Sequence, residues 1–229
     1  MTMTQSYKAL ALLLTYPSPE LQIAMGDIAT VLTADRRIPA RIQKVLSKLC
    51  AEMGADDIYE LQERYVHLFD RTRSLSLNLY EHVHGESRER GPAMVDLIEL
   101  YKSRGLELSS GELPDALPVF LEFLSTLPEA EASPLLGEAA HVLEALGERL
   151  KKRQSPYRAV FGALVAIAGA KADRDALDDM LSEPDDDPDD LEAMDKVWEE
   201  APVTFGPGAA GDDGCPKAAA LVHTMKQGN

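Results

Sequence analysis

Cysteine is nearly absent from this chain: two in 229 residues, Cys50 and Cys215. That count leaves no disulfide framework and no cysteine-based zinc site. Aromatic residues make up only 6%, and alternating strand-like runs are scarce. No run approaches the roughly 18 apolar residues that a membrane-spanning helix needs. The apolar stretch from Leu10 to Leu14 is too short for a signal-peptide core, and no basic segment precedes it. These absences predict a soluble, cytoplasmic protein. The catalytic inventory is also thin, with no Gly-x-Ser-x-Gly, no phosphate-binding loop, no His-Glu-x-x-His and no Cys-x-x-Cys. Gly206, Gly208 and Gly211 have the spacing of a dinucleotide-binding turn. That turn works only between a strand and a helix, and neither neighbour is evident.

Positive charge is the other shortage. There are 23 Lys and Arg against 39 Asp and Glu, a net charge of -16. The imbalance is uneven: residues 1–170 carry -5 and residues 171–229 carry -11. Such a protein repels phosphate backbones, so a nucleic-acid partner is excluded, whereas a basic peptide would be attracted.

Helical periodicity, by contrast, is nearly continuous. Tyr7, Leu10, Ala11 and Leu14 share a face. Ser18 and Pro19 form a cap and first-turn pair ahead of Leu21, Met25, Ile28 and Leu32. Ile42, Val45, Leu46 and Leu49 follow Pro39. Asp57 and Glu60 have capping-box spacing ahead of Ile58, Leu61, Tyr65, Leu68 and Phe69. Residues 77–84 read as helix running into Gly85. Met94, Leu97, Ile98 and Tyr101 form a stripe ended by Gly105. Leu117, Phe120, Leu121 and Leu124 form another, with Pro114 stiffening its entry and Asp115 as its cap. Ser133 and Pro134 read as the start of a helix through Leu150, and Ser155 and Pro156 as the start of one through Ala168. The pattern predicts an all-α protein: one bundle of roughly eight helices over residues 1–172. Residues 173–229 read as an acidic, Pro/Gly-rich tail, disordered except for one short helix near 190–199.

One segment carries more chemistry than a connection needs. Tyr80-Glu81-His82-Val83-His84-Gly85-Glu86-Ser87-Arg88-Glu89-Arg90-Gly91 packs two histidines, three glutamates after Tyr80, and two arginines between amphipathic helices. His82 and His84 could chelate a metal from an extended chain, where i and i+2 share a face. On a helix they diverge, and then they serve as hydrogen-bonding groups of the core or of a partner-facing surface. Glu86 as a general base would need a nucleophile or a substrate pocket, and neither is visible. Glu86, Arg88 and Arg90 are therefore either solvated charges of a first helical turn or groups that orient a peptide. Tyr65 and Phe69 fit core packing or the rim of a groove. Glu112 and Asp115, with Phe120 and Phe123 behind them, fit a helix start or a peptide contact.

These blocks together resemble the NarJ family, the assembly chaperones of membrane-bound respiratory nitrate reductase, within the wider TorD/DmsD-like superfamily. The likeness rests on residues 80–91, on Tyr65-Val66-His67-Leu68-Phe69-Asp70, on Glu112-Leu113-Pro114-Asp115 with the apolar run after it, and on Trp198-Glu199-Glu200-Ala201-Pro202-Val203-Thr204-Phe205-Gly206, in family order. Where the family usually reads Leu-Pro-Asp-His, this chain has Ala116, so no histidine-dependent role carries over there. The resemblance implies a non-enzymatic chaperone that binds the N-terminal segment of the apo catalytic subunit. It would support insertion of the molybdenum cofactor into that subunit and delay its membrane docking. It implies no cofactor or metal of the chaperone's own, cofactor-delivery proteins as further partners, and a monomer or weak dimer. The expected cargo surface joins Tyr65, Phe69, Tyr80, His82, His84, Glu86, Arg88, Arg90, Glu112, Asp115, Phe120 and Phe123. Two rival readings are a metal-dependent enzyme built on His82 and His84, and a chaperone for a different molybdoenzyme.

Overall fold

Helices dominate because nearly every segment places an apolar residue each third or fourth position, and each such stripe finds another to cover it. The structure is a computed structural model that describes residues 4–83, 89–108 and 111–182. It contains eleven α-helices among those residues: α1 Gln5–Leu13, α2 Pro19–Ala34, α3 Ala40–Ala55, α4 Ile58–Tyr65, α5 Leu79–Val83, α6 Arg90–Ser103, α7 Leu117–Thr126, α8 Glu129–Glu138, α9 Ala140–Lys152, α10 Arg158–Ala168 and α11 Arg174–Ser182. A π-helical turn, Val66–Asp70, extends α4, and a 3-10 turn, Arg73–Leu75, follows it. The described residues hold no strand, only an isolated antiparallel bridge between Asn78 and Ala116. None of the described helices is long and apolar enough to cross a membrane.

The fold is therefore all-α, as expected. The core is one cluster in which α2 pairs with α3, α9 with α10, and α1 with α7, while α10 also packs on α3. Helix α1 buries Tyr7, Leu10 and Leu13 completely. Ser18 caps α2 by accepting the Leu21 N–H at 3.2 Å, and Asp57 caps α4 by accepting the Tyr59 N–H at 2.9 Å. Both caps satisfy a donor that a helix start would otherwise leave unpaired.

Ten α-helices precede residue 170 rather than eight. The helix read over 77–84 is α5, Leu79–Val83, which begins two residues later than read. An additional helix arises because the one read from Ser133 breaks at Ala139. Helix α8 begins after Pro128, and Pro134 lies inside it. Ser133 does not cap; its hydroxyl donates to the Ala168 carbonyl at 3.0 Å. Packing against the end of α10 thus claims the group that local sequence offered as a cap. Helical structure also continues beyond residue 172: Leu177 of α11 is buried, and Arg149 of α9 donates to the Met180 carbonyl at 2.5 Å. The short helix near 190–199 and the rest of the tail, from residue 183 on, lie outside the described residues.

Helix α10 ends at Gly169, whose φ of 63° is left-handed. A side chain there is strained whatever space surrounds it. Gly169→Ala is expected to cost about 1 kcal/mol, read as a lower urea midpoint with an unchanged slope.

Candidate functional site

The residues selected from sequence separate into three places. Tyr65 and Phe69 belong to an aromatic column. The Tyr65 ring lies 5.6 Å edge-on to Tyr16 and 5.1 Å from Phe69, which in turn meets Tyr157 at 5.2 Å. The Tyr65 hydroxyl donates to the Leu14 carbonyl at 2.9 Å. Burial, then the charges of Asp70 and Glu112, raise its pKa, so it stays a neutral donor. The column ties the π-helical turn to the core. Only its outer end is open, where the half-exposed Tyr16 sits beside Tyr59, which is 76% exposed.

Tyr80 and Phe120 meet at an open cleft of about 340 Å³ between α5, α6, α7 and the α8–α9 junction. Leu79, Leu97, Leu100, Leu135 and Val142 supply apolar lining, and Asp96, Glu138 and His141 supply the polar part. Val83, also in the lining, is 51% exposed, an apolar group left uncovered. Glu112 and Phe123 instead line a second cleft of about 290 Å³, floored by Tyr101, Leu106, Leu108 and Val119. Its charged lining is entirely acidic: Glu107, Glu112 and Glu122. Lys8 reaches Glu122 at 3.7 Å, with both side chains well solvated, which makes a weak pair. Phe120 faces one cleft and Phe123 the other, their rings 6.5 Å apart, and Phe123 lies 4.6 Å from Tyr101.

The remaining candidates connect elements. His82 Nε2 lies 2.8 Å from the Ser76 carbonyl, a hydrogen bond within the turn that precedes α5. No group of three or more metal-capable side chains occurs among the described residues. Arg90, at the start of α6, donates to Glu81 Oε1 at 3.2 Å and joins α6 to α5. Burial would raise the Glu81 carboxyl, but Ser76, Asn78 and Arg90 hold it below the usual range. His84, Glu86 and Arg88 lie outside the described residues.

Asp115 departs most from expectation. It does not cap α7, whose N-cap is Ala116. It is fully buried, and its Oδ2 accepts the Tyr80 N–H of α5 at 3.0 Å. The cap signal is real, but α5 uses it. A side chain with no exposed surface cannot touch a partner directly, so Asp115 leaves the contact surface.

Sequence reasoning did not single out Leu79, Leu97, Leu100, Leu135 or Val142 as cleft residues. In a helical stripe, a leucine that lines a cleft is spelled like one that fills the core. A roomier cleft of about 470 Å³ lies between α3, α9 and α10, and none of the selected residues reaches it; its rim mixes Arg41, Lys151 and Arg158 with Glu144 and Glu148.

The model of the nitrate reductase delta subunit family matches residues 35–163. NarJ of Escherichia coli K12, a nitrate reductase molybdenum cofactor assembly chaperone, is 38% identical over 93% of this chain and 89% of its own length. The chain belongs to this family. NarW of the same strain, described as a probable chaperone of that kind, is also 38% identical, over 88% of the chain and 84% of its own length. A solved structure from Archaeoglobus fulgidus, described as a redox enzyme maturation protein, shares the fold. It superposes with a TM-score of 0.52 and 21% identity over 72% of this chain and 93% of its own. NarJ-family proteins of this kind are assembly chaperones rather than catalysts, which agrees with the thin catalytic inventory.

Proposed function

We propose that this NarJ-family protein is a system-specific chaperone for respiratory nitrate reductase. It binds the N-terminal segment of the apo catalytic subunit, supports insertion of the molybdenum cofactor, and delays membrane docking until that subunit is mature. The observation that carries the reading is the cleft between Tyr80 and Phe120. Its lining is predominantly aliphatic and aromatic, Val83 stands open to solvent beside it, and Asp96 and Glu138 provide negative charge. An amphipathic peptide helix buries its apolar face in such a groove through anchors at i, i+3, i+4 and i+7. The glutamates of the neighbouring cleft suit the basic end of the same segment, because carboxylate–guanidinium contacts are short and directional. A cleft of about 340 Å³ accepts a few side chains rather than a large interface, which suits a partner that must later leave.

The reading is tested by calorimetric titration with a peptide copying the first ~15 residues of the catalytic subunit, at low and high salt. The expected result is a dissociation constant on the order of micromolar or tighter that weakens as salt rises. No binding to well-folded protein would remove this segment as the cargo. Tight binding indifferent to salt would keep the cargo but leave the glutamates without a part.

A further inference from the structure

Aspartate is rarely buried without a charged or multiply bonded partner, yet Asp115 has no exposed surface. Its Oδ1 makes no hydrogen bond among the described residues. The surrounding bonds show what the side chain holds. Asp115 Oδ2 accepts the Tyr80 N–H at 3.0 Å, the Asp115 carbonyl accepts the Leu79 N–H at 3.1 Å, and the Leu117 N–H donates to the Leu77 carbonyl at 2.8 Å. The Tyr101 hydroxyl of α6 donates to the Pro114 carbonyl at 2.7 Å. The turn that opens α7 is thereby fastened to the segment that opens α5 and to the end of α6.

This fastening bears on the cleft. Leu79, Tyr80 and Val83 of α5 form one wall, and Phe120 of α7 belongs to the other side. Five residues are too few for a helix to hold itself, so the place of α5 depends on its attachments. The Arg90–Glu81 pair and the His82–Ser76 contact, both half-buried, reach α6 and the preceding turn. The hydrogen bonds of the 114–117 turn tie the start of α5 to the start of α7.

We propose that Asp115 is a positioning residue: it sets the α5 wall of the cleft against α7 and shapes the cargo groove without touching the cargo. This rests on the peptide-binding reading above for its functional consequence. Burial raises the Asp115 carboxyl, the Tyr80 N–H and Arg90 oppose that rise, and Glu81 adds to it. A neutral group of the same shape that keeps the acceptor should therefore serve as well. Asp115→Asn provides it, with its amide oxygen in place of Oδ2.

The experiment combines peptide titration at two salt concentrations with amide hydrogen exchange at Tyr80 in the peptide-free protein. For Asp115→Asn, affinity within about 3-fold of the parent, the same salt dependence and a protected Tyr80 amide are expected. For Asp115→Ala, affinity at least ~10-fold weaker, an unchanged salt dependence and at least ~10-fold faster exchange at Tyr80 are expected. Asp115→Leu keeps the branched shape, in a larger side chain without an acceptor, and replaces the alanine variant should that variant fail to fold; the same losses are expected of it. Loss of affinity in Asp115→Asn together with a weaker salt dependence would mean a direct ionic contact, and would overturn the proposal. Parent-like affinity and exchange in the variants without an acceptor would overturn it too. If the parent protein does not bind the peptide, the cargo reading falls on its own; an unchanged Tyr80 exchange rate in Asp115→Ala or Asp115→Leu would then sink the positioning role as well, and faster exchange would uphold it.

Discussion

Arg37→Ala is expected to lower the melting temperature by roughly 10 °C at neutral pH. Arg37 lies between α2 and α3 and donates to two carboxylates. Its Nη2 reaches Asp35 Oδ2 at 2.5 Å and its Nη1 bonds Glu129, at the start of α8. Its guanidinium carbon also sits 5.6 Å from the centre of the Tyr7 ring. The Asp35 side chain is 5% exposed and accepts the Ser6 hydroxyl at 2.6 Å. Removing the cation leaves two acids close together, one of them buried. Breaking such a pair costs about 3–5 kcal/mol, and Glu129, at 31% exposed, argues for the lower end. In a unit of this size each kcal/mol moves the midpoint by about 2–4 °C.

The pH dependence has a definite sign. Burial alone would raise the Asp35 carboxyl, but hydrogen bonds from Arg37 and Ser6 win and hold it below the ordinary aspartate range. A depressed folded pKa stabilises fully above the unfolded value of about 4, and that contribution is lost as pH falls through the lower folded value. The deficit of Arg37→Ala should therefore be widest near neutrality and narrow below about pH 4, when the unpaired acids take up protons. Thermal melts from pH 7 to 3 followed by circular dichroism would show it. A deficit constant across that range would mean that the arginine acts through packing on Tyr7 rather than through its charge. The Tyr7 hydroxyl, pushed up to about 12 by burial and by Glu129, stays protonated throughout.

The second large effect is on binding. Leu100→Glu is expected to weaken the cargo peptide at least ~30-fold, the scale of an interface hot spot, while the melting temperature moves little. Leu100 lines the cleft from α6 and is only half-buried in the free protein, so solvent can accept the new carboxylate. Asp96, one turn earlier, adds a like-charge penalty of only about 0.2–0.5 kcal/mol. Leu100→Met, which keeps apolar volume, should bind like the parent. Retained affinity in Leu100→Glu would place the cargo elsewhere on the molecule.

The helical class was readable because every long helix shows its buried stripe in sequence. The caps at Ser18 and Asp57 were readable because a cap and the helix it serves are neighbours in the chain. The same grammar failed where tertiary structure claimed the capping group: Ser133 turns to α10 and Asp115 to α5. A cap-like residue states that a donor or acceptor is available, not which element will use it. The π-helical turn carries no composition of its own and was not visible. For the site, the sequence indicated Tyr80 and Phe120, which share a cleft, and Glu112 and Phe123, which share another. It drew them into a single surface with Tyr65 and Phe69, which instead pack with Tyr157 in the aromatic column. Spacing along a helix fixes which residues share a face, but not which faces of separate helices meet.

The pairing of α1 with α7 also constrains how the chain must be made. Helix α1 is synthesised well before its cover: it is apolar on most of its surface, yet Leu117–Thr126 lies roughly a hundred residues later. At about 5–20 residues per second, the nascent chain displays that helix for some 5–20 s before its partner exists. The chain therefore passes through a stage in which an apolar helix waits for the surface that will cover it.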